Sequence, residues 1–273
     1  MTIASTPPPD VALPRAGSRT AITRAQVRAQ LLDLFRTPIA IISTTIFPTL
    51  AFCFFVLPQG DLVADPMISL VVCAQLALFG VMSAYLFGYG IGIAEDRTNP
   101  WTSYVRTLPS GALPIVAGRA AVGAISVVLS LVPLVTAIAF LTAAPEAFTS
   151  GELPWWRLAA ALAAIVVTGL PFLGLGLIIG YLATPKAAVA LAQVLFFPLA
   201  FIGGLLLPPQ EFPSWVGAIS LWTPSRAGRD LLVQALTGET APATTVPVFV
   251  GWMALAGVGA LWAHRRDEGR RFR

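Results

Sequence analysis

Apolar residues run almost unbroken through six stretches of the chain, at about 38–57, 67–93, 113–142, 156–182, 187–207 and 243–263. Each is near or above the roughly 20 residues that carry a helix across a bilayer. The pattern predicts an all-α polytopic membrane protein with six transmembrane helices, together occupying residues 38–263. The third run holds Pro133, where a kink or an exit from the membrane is expected. The fourth and fifth are joined only by the residues around Ala183-Thr-Pro-Lys186, which reads as a tight turn.

The polar stretches between and beside these runs are unequal. Residues 1–19 are rich in Pro and Ser and read as a disordered tail with no apolar core of a signal peptide. Residues 20–37 read as an amphipathic helix in the membrane interface. Thr23 and Gln26 have capping-box spacing, and Val27, Leu31, Leu34 and Phe35 form the apolar face. An ordinary soluble helical cap is the other reading of this segment. Residues 264–273 read as a basic tail.

The most polar internal segment runs from Gly92 to Pro109. Asn99 suits an N-cap, Pro100 suits the first helical position, and Pro109 with Gly111 stops the helix. Trp101, Tyr104, Val105 and Leu108 then share one face at i, i+3, i+4 and i+7. Such a helix needs something to lay that face against: the bilayer surface, other parts of the chain, or a partner.

The stretch 208–242 is the longest connection on the other side. Trp215, Ile219 and Trp222 fall at i, i+4 and i+7 after Pro213. Thr223-Pro224 can then start a second helix through Leu231, Leu232 and Ala235, closed by Gly238. Two short helices linked at Pro224 either dip back into the membrane or lie on its face; the sequence leaves both open. A re-entrant pair would imply a translocation path nearby, because non-helical backbone at depth must be buried in protein or line a wet cavity. Gly80, Ala84, Gly88 and Gly92, four residues apart, form a small-residue stripe suited to helix packing within the chain or between two chains.

Charge supplies the orientation. Only 11% of the 273 residues are charged, against roughly 25% in soluble domains. Fourteen of the seventeen basic residues fall at the N-terminal segment, the 94–119 region, Lys186 and the tail. Arg157, Arg226 and Arg229 fall on the opposite side. The positive-inside rule therefore places both termini in the cytoplasm. The net charge of +4 follows from this layout and gives no support to nucleic-acid binding.

Between the interfaces the sequence shows essentially no ionisable side chain, Arg119 and Arg157 lying near span ends where they can snorkel. This weighs against a proton- or ion-coupled carrier and against an intramembrane enzyme. Cys53 and Cys73 read as small buried hydrophobes, and no metal site is expected. His264 reads as an interfacial residue. The only lysine, Lys186, lies between Pro185 and Ala187, so there is no Walker A loop. If this chain pumps, another subunit hydrolyses the nucleotide.

Three stretches, in order, resemble the permease subunits of bacterial ABC exporters of the second export class, the drug-resistance and polysaccharide type. They are Leu34-Phe-Arg-Thr-Pro38 with Pro48; Glu95-Asp-Arg97 through Leu108-Pro109; and Gly203 through Trp215 with Trp222-Thr-Pro-Ser225. The family usually has Gly after the charged triplet, where this chain has Thr98-Asn99-Pro100. The resemblance implies a coupling helix between spans two and three that docks on the ATPase, with Glu95, Asp96, Arg97, Trp101, Tyr104, Val105 and Leu108 as coupling residues. It implies short outer helices between spans five and six that gate the path, with Trp215, Trp222, Pro224, Arg226 and Arg229 as gate residues. It further implies no cofactor in this chain, ATP and Mg bound by two partner ATPase subunits, a second permease chain, a bacterial cell membrane, and export of an amphipathic or lipid-like compound. A non-transporting scaffold or regulator, and an ion-coupled transporter, are the rival readings.

Overall fold

The computed structural model describes residues 28, 46–98 and 112–271, with backbone alone for 112–122, 124, 126 and 268–271. Among the described residues all regular structure is helical. In chain order the helices are α1 (Ile46–Val56), α2 (Gly60–Ala64), α3 (Pro66–Thr98), α4 (Ala112–Leu141), α5 (Glu146–Thr149), α6 (Trp156–Leu182), α7 (Pro185–Ile202), α8 (Ser214–Ser220), α9 (Pro224–Thr237) and α10 (Thr245–Arg271). The interface helix expected at 20–37 and the coupling helix expected at 99–108 lie outside the described residues, Arg28 excepted.

Among the described residues four helices are long and apolar enough to cross a membrane: α3, α6, α7 and the Thr245–Asp267 part of α10. Two shorter apolar stretches, Ile46–Val56 and Val127–Leu141, lie within the first and third of the six runs. The helix around the third run continues through Pro133 from Ala112 to Leu141.

Three boundaries differ from the sequence reading, each for a local reason. α3 does not stop at 93; it carries Glu95, Asp96 and Arg97 in its last turns, since nothing before Thr98 breaks it. α7 ends at Ile202, not 207, because Gly203 and Gly204 follow and Gly204 takes φ +72°, open to glycine at little cost. α10 runs past 263 to Arg271 through the stretch read as a tail, with His264 held against the Tyr181 ring at 5.0 Å.

α3 is the central helix. Its span is 78% buried inside the chain, against 22% for α7 and 28% for α10, whose apolar faces turn outward. α6 packs along α3, α9 and α10. Glycines let it approach. A Cβ on Gly169 would meet Tyr85 Cε2 at 2.7 Å, one on Gly180 would meet Ile93 Cβ at 2.7 Å, and one on Gly174 would meet Ala256 Cβ at 2.7 Å. One on Gly176 would collide with the Tyr85 carbonyl oxygen. At the contact of α3 with α7, Phe79 and Phe87 lie against Phe196 at 4.9 and 5.2 Å.

The small-residue stripe of α3 does not form one intrachain seam. Gly80 packs on Pro48, but a Cβ at Gly88 or Gly92 would meet nothing within 4 Å. Gly90, outside the stripe, is the residue that approaches Gly176. The cause is a π-helical segment at Ala84–Tyr89. Its wider turn rotates everything after it, so a four-residue spacing no longer keeps one face.

α7 is short. Its 18 residues rise about 27 Å, whereas the 27 residues of α6 rise about 40 Å. The two start and end together at the Arg97 end of the bundle, so α7 stops well below the Arg157 end. α9 occupies the space so left, packed against α3, α6 and α10. Its Gly228 faces Leu78 and Thr168, while Gly238, just past its C-terminus, faces Arg157. Thr168 and Leu78 each lie twelve residues from the start of their helices, about 18 Å below the Arg157 end. Two helices thus give the same depth. α9 therefore starts inside the bundle and runs back toward the Arg157 end.

Candidate functional site

Polar side chains gather at two places. The first is at the Arg97 end, where α3, α6 and α10 finish together. Arg97 Nη2 lies 2.7 Å from Asp267 Oδ1, and Arg97 Nε–H donates to the same oxygen at 2.8 Å. Arg97 Nη1–H donates to the carbonyls of Gly180 and Ala183 at 3.2 and 3.0 Å. These carbonyls close α6, where no intrahelical donor remains and where the helix dipole favours a cation. Asp267 is 3% exposed and Arg97 21%. One guanidinium therefore joins three helices at the point where the chain leaves α3.

This arrangement changes what Arg97 offers. Its donors are engaged within the chain, so its reach toward a partner passes through the helices it ties. Glu95 is exposed and Asp96 is half-buried with an interaction of its own. Trp101, Tyr104, Val105 and Leu108 lie outside the described residues. Asp267 went unnoticed in sequence because it follows Arg265 and Arg266 in a stretch that reads as a basic tail.

The second place is α9. Thr223 Oγ1 accepts from the Arg226 N–H at 3.2 Å, and Pro224 takes the first helical position, so the N-terminus is capped. Gly238, at φ +89°, caps the other end, and Arg157 Nη1–H donates to the Gln234 and Ala235 carbonyls at 3.3 and 3.5 Å. Arg157 thus sits at the negative end of this helix dipole. Within α9, Arg226 Nε–H donates to Asp230 Oδ2 at 2.7 Å and Arg229 Nη1–H to Asp230 Oδ1 at 2.8 Å.

The expectation that no ionisable side chain lies between the ends of the bundle therefore fails at Arg226, Arg229 and Asp230. They lie in the stretch read as an outer connection, and α9 carries them inward because α7 ends early. Of the other gate residues, Pro224 is buried, and Trp215 and Trp222 are exposed. Trp222 is tied to α10: its carbonyl accepts from Trp252 Nε1–H at 2.8 Å. Beside this bond runs an apolar groove of ≈ 280 Å³ lined by Trp222, Pro247, Val248, Gly251, Trp252 and Leu255. Among the described residues no cluster of His, Cys, Asp and Glu suits a metal ion.

Long apolar helices around a glycine-packed centre, a short helix that starts inside the bundle, and a three-helix polar junction at one end define a multi-pass membrane protein. The chain belongs to the ABC-2 type transporter family, whose sequence profile matches residues 23–237. It is 22% identical over 199 residues to "Putative transport permease YvfS" of Bacillus subtilis (strain 168), covering 71% of this chain and 76% of that protein. It is accordingly the membrane permease of an ABC transporter, a transport subunit whose family implies an ABC ATPase as partner.

Proposed function

We propose that this chain exports an amphipathic or lipid-like compound across a bacterial cell membrane by alternating access, driven by a separate ATPase. The complex has two permease chains, alike or different, and two ATPase subunits, which bind ATP and Mg. Six spans and cytoplasmic termini follow from the run count and the charge bias. The Arg97 end is then the inner end. The observation that carries the reading is the Arg97 junction, which links α3, α6 and α10 just before the segment 99–108. A push on that segment would move three helices as one body. Glu95 and Asp96, with Trp101, Tyr104, Val105 and Leu108, are the residues we assign to ATPase contact; Arg97 transmits. Trp215, Trp222, Pro224, Arg226 and Arg229 are assigned to the outer gate.

The test is purification from native membranes in mild detergent, comparing the parent with a Tyr104→Asp, Leu108→Asp double variant. An ATPase that co-purifies with the parent and is lost from the variant supports the coupling assignment. An ATPase retained by the variant removes that assignment but leaves the permease reading. If the parent brings no ATPase, a scaffold or regulator becomes the better reading. The charges on α9 give an ion-coupled carrier some standing of its own. Transport that follows a proton gradient without nucleotide would favour it.

A further inference from the structure

α9 is charged where it is least expected to be. Arg229 is 6% exposed and Asp230 also 6%. Arg226 has a side chain 16% exposed. Two guanidiniums share one carboxylate, so the cluster keeps one uncompensated positive charge. It lies about 18 Å below the start of α6, where α9 packs against Leu78 and Thr168. An unbalanced buried charge is costly in such surroundings. Beyond Asp230, Glu239 just past the C-terminus of α9 also acts electrostatically on Arg229, more weakly than Asp230.

A second observation points the same way. Arg229 Nε is buried and has no hydrogen-bond partner. A donor on a charged group left bare inside a protein costs more than a neutral one. The cluster therefore lacks both a negative charge and an acceptor. A phosphate or carboxylate oxygen supplies both, and Arg is the side chain best suited to hold such a group.

The surroundings say what the anion is attached to. Arg226, Asp230 and Gln234 lie at i, i+4 and i+8 on α9; Arg226 is partly exposed and Gln234 exposed, with buried Asp230 between them. Trp222, four residues before Arg226, lines the apolar groove along α10. A head on the arginines and a tail along that groove would satisfy both. We infer that Arg226 and Arg229 form a binding site for an anionic headgroup, a phosphate or carboxylate borne on an apolar tail. As a cargo site it rests on the permease reading and narrows the cargo to anionic amphiphiles. Asp230 orients the two arginines and competes with the ligand for them.

The test uses the full chain in nanodiscs of zwitterionic lipid, with octyl phosphate as probe and binding followed by calorimetry. The parent is expected to bind octyl phosphate and not octylammonium. Arg226→Gln and Arg229→Gln should each weaken binding at least tenfold. Asp230→Asn should bind as well as the parent or more tightly, since it frees both arginines. A merely structural triad predicts the opposite, with Asp230→Asn as damaging as the others. Inorganic phosphate that competes at equal concentration would identify a free anion as ligand; failure to compete would identify the headgroup with its tail. Should Arg229→Gln not fold, Arg226→Gln and Asp230→Asn still decide. Unchanged binding in Arg226→Gln, or lost binding in Asp230→Asn, overturns the site. A chain that brings down its ATPase yet binds no octyl phosphate keeps the permease reading and loses this one.

Discussion

Arg97 and Asp267, 170 residues apart in the chain, meet at 2.7 Å and close the bundle at one end. The pair is more than a charge contact, because Arg97 also donates to Gly180 and Ala183. Breaking a buried pair from one side leaves the other charge unpaired, at about 3–5 kcal/mol. Asp267→Asn should therefore lower the unfolding midpoint in detergent clearly. Arg97→Lys should recover only part of what Arg97→Gln loses, since an ammonium cannot hold three acceptors in the geometry of a planar fork. The exchange Arg97→Asp with Asp267→Arg should not restore stability, because Asp at position 97 would face two carbonyl oxygens. A full rescue by that exchange would show that the carbonyl bonds contribute nothing.

The glycines of α3 and α6 differ in what they tolerate. Gly176→Ala places a Cβ on the Tyr85 carbonyl, which is backbone and cannot swing away. Overpacking of this kind costs about 1–3 kcal/mol. Gly88→Ala and Gly92→Ala meet open space and should change stability by about 0.5 kcal/mol or less. Thermal unfolding of the three variants in detergent separates the two cases. If Gly88→Ala instead splits a dimer seen by light scattering, the open stripe serves a second chain.

What the sequence made legible was local. Among the described residues four apolar runs correspond to helices long and apolar enough to cross a membrane, and Thr223, Pro224 and Gly238 mark the two ends of α9, because length, capping and a left-handed glycine are properties of neighbouring residues. What stayed hidden depends on packing. The π segment at Ala84–Tyr89 has no composition that announces it, so the stripe through Gly88 and Gly92 looked like one seam. Asp267 pairs across 170 residues, and no short pattern encodes that. The depth of α9 follows from the early end of α7, three-dimensional information that residues 224–237 do not carry. The Arg226–Asp230 spacing was nonetheless a usable clue, since it lets two charges meet on one helix face.

The bond from Trp252 Nε1–H to the Trp222 carbonyl fastens the α8–α9 turn to α10. Trp252→Phe keeps most of the ring and removes the donor. A loss of about 1 kcal/mol is expected. The turn should also loosen, seen as faster amide hydrogen exchange at residues 221–224. Unchanged exchange there would mean that packing of Ala227 on Val248 and Phe249 holds the turn without the bond.

The two ends of α9 test whether its position inside the bundle depends on its own caps. Thr223→Ala removes the acceptor for the Arg226 N–H, at about 1 kcal/mol, and Thr223→Ser should preserve it. Gly238→Ala meets two penalties. Its φ of +89° disfavours any Cβ, by about 1–2 kcal/mol. The new Cβ would also crowd the Arg157 guanidinium, with Cζ at 2.7 Å, and disturb its bonds to Gln234 and Ala235. Gly238→Ala should therefore lower the unfolding midpoint more than Thr223→Ala. Arg157→Gln should cost less in the Gly238→Ala background than in the parent, because the same bonds are already weakened. Strict additivity of the two would show that Arg157 and Gly238 act independently, and that the end of α9 is held by its packing on α3 and α6 alone.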